Sequence, residues 1–399
     1  MKFARYEQAL LANEYAEEGL PSPVQGNLKL HDLVNERGED LINLSIMTDQ
    51  TPPAVVRIAA AEQALKGGYI KNALFARKKI RDFYEREHDV RFDPESEVFL
   101  TTGSQLGLDS AFKLLIEAGD EVVLAEPEYA TYEPMIHFYG GKAKFVPLNL
   151  TGDLWSLDLE LFEKAVSSRT KLVVISNPNN PAGYVYRRND IAEIAKIVEK
   201  NDCWLLSDEI WSPLIVKDGL DFTSPGCFDE IKDHLVILFS ASKVFGMSGY
   251  RTGVIMGPRD FIRAIDQVVR FAVMAVPTIG QVAFARALDF DETGEWLKKR
   301  KQGLQKRIAE TVPRMNSFEK LRCGEPESGV FLFPNIKEYG MSSLEFASRL
   351  ITEKGLYVMP GLMYGRHCDG YLRISMSVPN EDFKCGMERF FDFIGELEA

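Results

Sequence analysis

The sequence predicts an α/β protein, with a mostly parallel sheet covered by helices on both faces and a smaller α+β unit after it. Two observations carry this. Over residues 53–276, short apolar runs of strand length alternate with helical stretches, the pattern of parallel strands buried on both sides. Beyond that point the character changes, opening with a long polar stretch rich in Lys, Arg and Glu at 293–312.

Taken in order, 98–102 reads as a strand, and the helix after it carries Leu108, Ala111, Phe112 and Leu115 on one face. Residues 121–125, 171–176, 203–207, 235–239 and 252–256 are further strands, with a helix at 189–201. After the polar helix, 329–333, 344–354, 356–359 and 371–375 form the smaller unit. The first 50 residues read as an arm or helix packed with that unit. The expected division is 1–50 for the arm, 51–285 for the large domain and 286–399 for the small one.

Composition narrows the function. A chain of 399 residues, 45% hydrophobic and 27% charged, builds two domains with substantial cores. Its net charge of −12 and the lack of a basic stripe argue against a nucleic-acid partner. Five widely spaced cysteines without a C-x-x-C pair fit a reducing compartment rather than a disulfide or metal framework. No apolar run approaches the ~20 residues a membrane span needs, and the N-terminus shows no signal-like apolar region. A cytoplasmic protein with no membrane partner is expected.

In open α/β sheets, ligands bind beyond the carboxyl ends of the strands, so the residues there matter most. They are Gly103-Ser104-Gln105, the EPEY run holding Tyr129, the NPNNPAG run holding Asn180, Asp208-Glu209-Ile210-Trp211, and Ser240-Ala241-Ser242-Lys243, with Gly249-Tyr250-Arg251 ahead of the last strand. Ser104 and Gln105 at a helix start suit a phosphate, or Ser104 is a simple cap. Ser240 and Arg251 add phosphate donors, the Arg with forked geometry. Lys243, between those cations, is either a solvated surface charge or an amine of lowered pKa able to attack a carbonyl. Asp208 pairs with a protonated pyridine nitrogen or serves as a cap or turn residue. Tyr129 stacks on a flat ring or lines a loop; Asn180 donates to a phenolic oxygen or shapes a turn. Arg373, on an alternating strand, grips a substrate carboxylate or bridges the domains.

With these motifs in order, the chain resembles the class I/II aminotransferases of the fold-type I pyridoxal-phosphate enzymes, over roughly 41–377. GSQ, EPEY, NPNNPAG, SDEIW, SASK…R and YLRIS all occur in family order. The resemblance implies a large domain with a seven-stranded, mostly parallel sheet between helices. It implies pyridoxal 5'-phosphate, with Lys243 as the Schiff-base lysine and proton shuttle and Asp208 on the pyridine nitrogen. Asn180 serves the phenolic oxygen, Tyr129 stacks on the ring, and Ser104, Gln105, Ser240 and Arg251 hold the phosphate. Arg373 takes the substrate α-carboxylate, with Asn180 beside it. Tyr69 resembles the tyrosine that reaches the partner subunit's phosphate, which implies a homodimer with shared active sites.

Two departures stand out. Trp211 occupies the place of a tyrosine that donates to the phenolic oxygen; an indole N–H donates but cannot accept. The segment 44–53 is shorter than its counterpart, and Asp49, if it lines the pocket, favours a cationic side chain. The implied reaction is transfer of an α-amino group from an amino acid to a 2-oxo acid. The departures keep a second outcome open: β- or γ-elimination, or a cyclising dehydration, on a modified amino acid, cationic ones included. A cofactor-sensing regulator would need a basic helix-turn-helix domain in front, and the 50 residues there are not basic.

Overall fold

Apolar runs that cannot face water on either side pair into one sheet. The computed structural model describes residues 23–48, 51–152 and 154–399. Its main sheet contains β1 (Val98–Thr101), β2 (Glu121–Glu126), β3 (Lys142–Pro147), β4 (Thr170–Ser176), β5 (Trp204–Asp208), β6 (Leu235–Ser240) and β7 (Gly253–Met256). Their order is β1-β7-β6-β5-β4-β2-β3. Every residue of β1, β2, β6 and β7 is buried. Along β4, Leu172 and Val174 enter one core while Val173 and Ile175 enter the other, because successive side chains point to opposite faces.

Five strands pair in parallel, and β7 runs against both β1 and β6. β3 was not among the strands read from the sequence. It forms the sheet edge beside β2 and alternates Lys142 and Lys144 with apolar residues. Charges on an edge strand discourage pairing with other chains, and they also hide the strand from an apolar-run criterion.

The helices are α1 (Pro23–Arg37), α2 (Ala54–Lys66), α3 (Leu74–His88), α4 (Gly103–Leu115), α5 (Tyr132–Phe138), α6 (Leu159–Ala165) and α7 (Arg188–Lys200). They continue with α8 (Ala241–Val244), α9 (Arg259–Val273), α10 (Thr278–Ala287), α11 (Phe290–Asn316), α12 (Ser343–Lys354) and α13 (Asn380–Glu398). On one face of the sheet, Leu108, Ala111, Phe112 and Leu115 of α4 pack with Ile136 of α5 and Ile262 and Ile265 of α9. On the other, Ile80 and Phe83 of α3 join Ile191, Ile194 and Val198 of α7. The predicted α4 stripe is buried.

The predicted polar helix is α11, whose 27 residues span about 40 Å at the usual rise. Leu297, Leu304, Ile308, Val312 and Met315 form its buried seam, leaving the charged residues outside. Beyond it, β8 (Phe331–Leu332), β9 (Met359–Pro360) and β10 (Leu372–Ser375) make an antiparallel sheet in the order β8-β10-β9. α12 and α13 cover it, with Phe346 edge-on to Phe393 at 5.2 Å. α1 packs on α12, and the short strand Ile42–Asn43 pairs in parallel with Leu356–Tyr357. Among the described residues no helix is long and apolar enough to cross a membrane.

Candidate active site

The carboxyl ends of β2, β4, β5 and β6 open onto one edge of the sheet. Because β7 is reversed, its first residues reach the same edge. A cleft of about 300 Å³ there brings together Ser104, Gln105, Tyr129, Asn180, Asp208, Trp211, Lys243, Arg251 and Arg373. Seven separate stretches of chain thus supply one site.

At the start of α4, Gly103 has φ +74, and a Cβ on it would sit 2.5 Å from Arg251 Nη2. A Cβ on Gly253 would collide with the Ser104 backbone nitrogen. Two glycines therefore let the helix end, β7 and a guanidinium meet closely. The residue before the helix, Thr102, makes no side-chain cap bond. Ser104 is the second helical residue, not the cap, so the alternative weighed from sequence falls away. The first-turn N–H groups lie uncapped beside Arg251, a setting that favours an anion.

Ser240 is placed differently from Ser104. Its Oγ accepts from Ser242 N at 3.0 Å, lies 2.9 Å from Ser242 Oγ and contacts the Thr252 carbonyl at 3.0 Å. Ser240 caps α8 from behind, and Ser242 is the serine that lines the cleft. No signal within SASK separated the two, because only the turn geometry decides which hydroxyl faces outward.

Asp208 ends β5 with Oδ2 accepting from Tyr132 Oη at 2.7 Å and Oδ1 accepting from Ile210 N at 3.2 Å. Burial pushes its carboxyl up to about 6, against those two bonds. Tyr132 went unnoticed in the sequence; its signal was a tyrosine three residues after Tyr129 at a helix start. The Tyr129 ring stands edge-on to Tyr132 at 5.5 Å. Asn180 is buried, and so is Trp211, whose ring meets Phe331 edge-on at 5.8 Å.

Lys243 lies in α8, within the cleft. Burial lowers its amine from the usual lysine value, and the Arg373 and Arg251 charges lower it further. Among the described residues no carboxylate lies within ion-pair distance of it. Arg373 is clamped flat: its Cζ is 4.1 Å from the Phe331 ring and 4.9 Å from the Tyr364 ring. Its Nη2 donates to the Ser45 carbonyl at 2.6 Å, and its buried Nε has no partner among the described residues. Arg300 of α11 bridges distant stretches of chain, with Nη2 donating to the Lys243 carbonyl at 3.3 Å and to Ser377 Oγ at 3.0 Å.

Two expected residues, Tyr69 and Asp49, are not among the described lining residues. Tyr69 is 68% exposed and does not line this chain's cleft. Asp49 falls outside the described residues. The part of its segment that is described does reach the site, through Ile46 and Met47.

The profile of the family described as aminotransferase class I and II matches residues 40–390. The chain belongs to that family. Among curated relatives, this aminotransferase is 30% identical over 379 residues to the "Probable N-acetyl-LL-diaminopimelate aminotransferase" of Bacillus subtilis (strain 168), covering 93% of each chain. Among solved structures, it resembles the aromatic aminotransferase of Pyrococcus horikoshii OT3 at TM-score 0.85 and 25% identity, covering 91% of this chain and 99% of that one. The aspartate aminotransferase of Thermotoga maritima follows at TM-score 0.84 and 26% identity, covering 93% and 97%. The architecture is that of the fold-type I enzymes.

Class I and II aminotransferases use pyridoxal phosphate, and the site fits that group. Asn180 Oδ1 and Trp211 Nε1 are both buried without a partner among the described residues. A buried polar atom left unpaired is costly, and a ligand with a phenolic oxygen relieves it at the Trp211 N–H and, with the Asn180 amide turned over, at its NH₂. The uncapped helix terminus and Arg251 line the same cleft as the Asp208 carboxylate, which has no ion-pair partner among the described residues.

Proposed function

We propose that this aminotransferase holds pyridoxal phosphate around Lys243 and moves an α-amino group from an amino acid to a 2-oxo acid. The observation that carries the reading is the Lys243 amine, buried beside Arg251 and Arg373 and free of a carboxylate partner among the described residues. When bound, the cofactor supplies an aldehyde that condenses with amines and a protonated ring that absorbs electrons. The N–H groups of Ser104 and Gln105, with Arg251 and Ser242, hold the phosphate, and Ser240 orients Ser242. Asp208, steadied by Tyr132, keeps the ring nitrogen protonated. Tyr129 packs on the ring, and Asn180 and Trp211 donate towards its phenolic oxygen. Arg373 offers Nε to the substrate carboxylate. Lys243 Nζ takes the proton from the substrate Cα and returns it one position along.

Borohydride treatment of protein supplied with the vitamin is expected to fix one cofactor on the peptide holding Lys243. Addition of a donor amino acid is expected to yield its oxo acid with ping-pong kinetics. A label on any other lysine overturns the reading; release of ammonia or water instead of an oxo acid selects the eliminating or cyclising alternative.

We infer a homodimer whose partner covers the face around Tyr69. Phe271 and Met274 at the end of α9 are 87% and 72% exposed there. Met274 has φ +64 inside a tight turn closed by Ala275 N to Val273 O at 2.7 Å, a strained form that persists where neighbours enforce it. Phe271→Asp is expected to give a monomer by sedimentation and to lower turnover about 100-fold, since a charge in an apolar interface breaks it. A dimer of unchanged affinity would place the interface elsewhere.

A further inference from the structure

We propose that the amino donor carries an uncharged, apolar side chain, large aliphatic or aromatic, and that Ile46, Met47, Trp211 and Phe331 select it. This rests on the assignment of Arg373 to the substrate carboxylate. The carboxylate and the side chain leave the same Cα, so the side chain meets whatever flanks Arg373.

That flank is apolar and fixed. The Ser45 carbonyl accepts from Arg373, Leu44 O accepts from Ser375 N at 2.7 Å, and Thr48 N donates to Ser377 O at 2.9 Å. These bonds lace the segment to the end of β10 and set Ile46 and Met47 beside the guanidinium. Phe331 touches both Arg373 and Trp211. Ile46 is 48% exposed, an aliphatic surface that a substrate can cover.

Charge bookkeeping points the same way. Among the described lining residues the ionisable side chains that bear charge are Asp208, Lys243, Arg251 and Arg373, and each already has a task. Among the described lining residues a substrate side-chain carboxylate or ammonium finds no uncommitted counter-charge, and a desolvated unpaired charge is strongly disfavoured.

The test compares kcat/KM for phenylalanine, leucine and methionine against aspartate, glutamate, lysine and arginine on the cofactor-loaded enzyme. The apolar donors are expected to lead by at least about tenfold. Ile46→Arg, at a half-exposed site, is expected to raise the aspartate-to-phenylalanine ratio by about tenfold or more. Calorimetry adds a readout without turnover: 3-phenylpropanoate should bind the loaded protein at least about tenfold more tightly than succinate. Any of the four charged amino acids matching phenylalanine overturns the selectivity and leaves the aminotransfer reading standing. A protein that forms no oxo acid and takes no borohydride label at Lys243 sinks that reading, and the selectivity falls with it.

Discussion

Lys243→Ala is expected to lower turnover about 10⁴-fold, the upper range for removing a positioned proton-transfer group. It should also abolish the absorbance band of the lysine-bound cofactor. The fold should survive, because burial disfavours the charged amine at this position and no ion pair among the described residues is lost. Lys243→Arg separates amine from charge. A guanidinium keeps the positive charge but stays protonated at every working pH, so this variant is expected to be as inactive as the alanine. Oxo-acid formation in a single turnover, with thermal unfolding as the folding control, measures both. Turnover of either variant within about tenfold of the parent would remove Lys243 from proton transfer.

Asp208→Asn is the second large effect. Removing a preorganised charge opposite developing charge costs about 10³-fold in kcat. Its pH signature is specific. Burial raises the Asp208 carboxyl to about 6 in the cofactor-free fold, so the carboxylate that pairs with a ring cation is lost as pH falls through that value. Cofactor affinity of the parent protein is therefore expected to weaken below about pH 6, with the asparagine variant lacking that step. Stability runs the other way. A carboxyl that holds its proton more tightly folded than unfolded contributes stability below the ordinary carboxylate range and loses it as pH rises through about 6. The cofactor-free asparagine variant should thus match or exceed the parent in denaturant midpoint above pH 6. An unchanged kcat would mean that another group holds the ring nitrogen.

Much of this was legible in the residues. Six strands of the sheet announce themselves as apolar runs, since strands buried on both faces leave no room for polar residues. β3 escaped because an edge strand tolerates lysines. The ends of those strands gave Ser104, Asp208, Lys243 and Arg251 without any distance being known, since the rule about strand ends needs only the order of elements. What a linear pattern does not encode is the direction of a side chain at a turn. Ser240 and Ser242 differ by two residues, yet one points inward and the other lines the cleft. The contribution of Tyr132 to Asp208 spans 76 positions, and the flank of Arg373 joins residues 45 and 373. Such pairs arise from packing alone.

Arg300 ties together stretches of chain far apart in sequence. One hydrogen-bond fork reaches the backbone of Lys243 and the chain two residues past β10, four past Arg373. A shift of residue 377 relative to α11 is therefore passed, through a single guanidinium, to the main chain that carries the Lys243 amine.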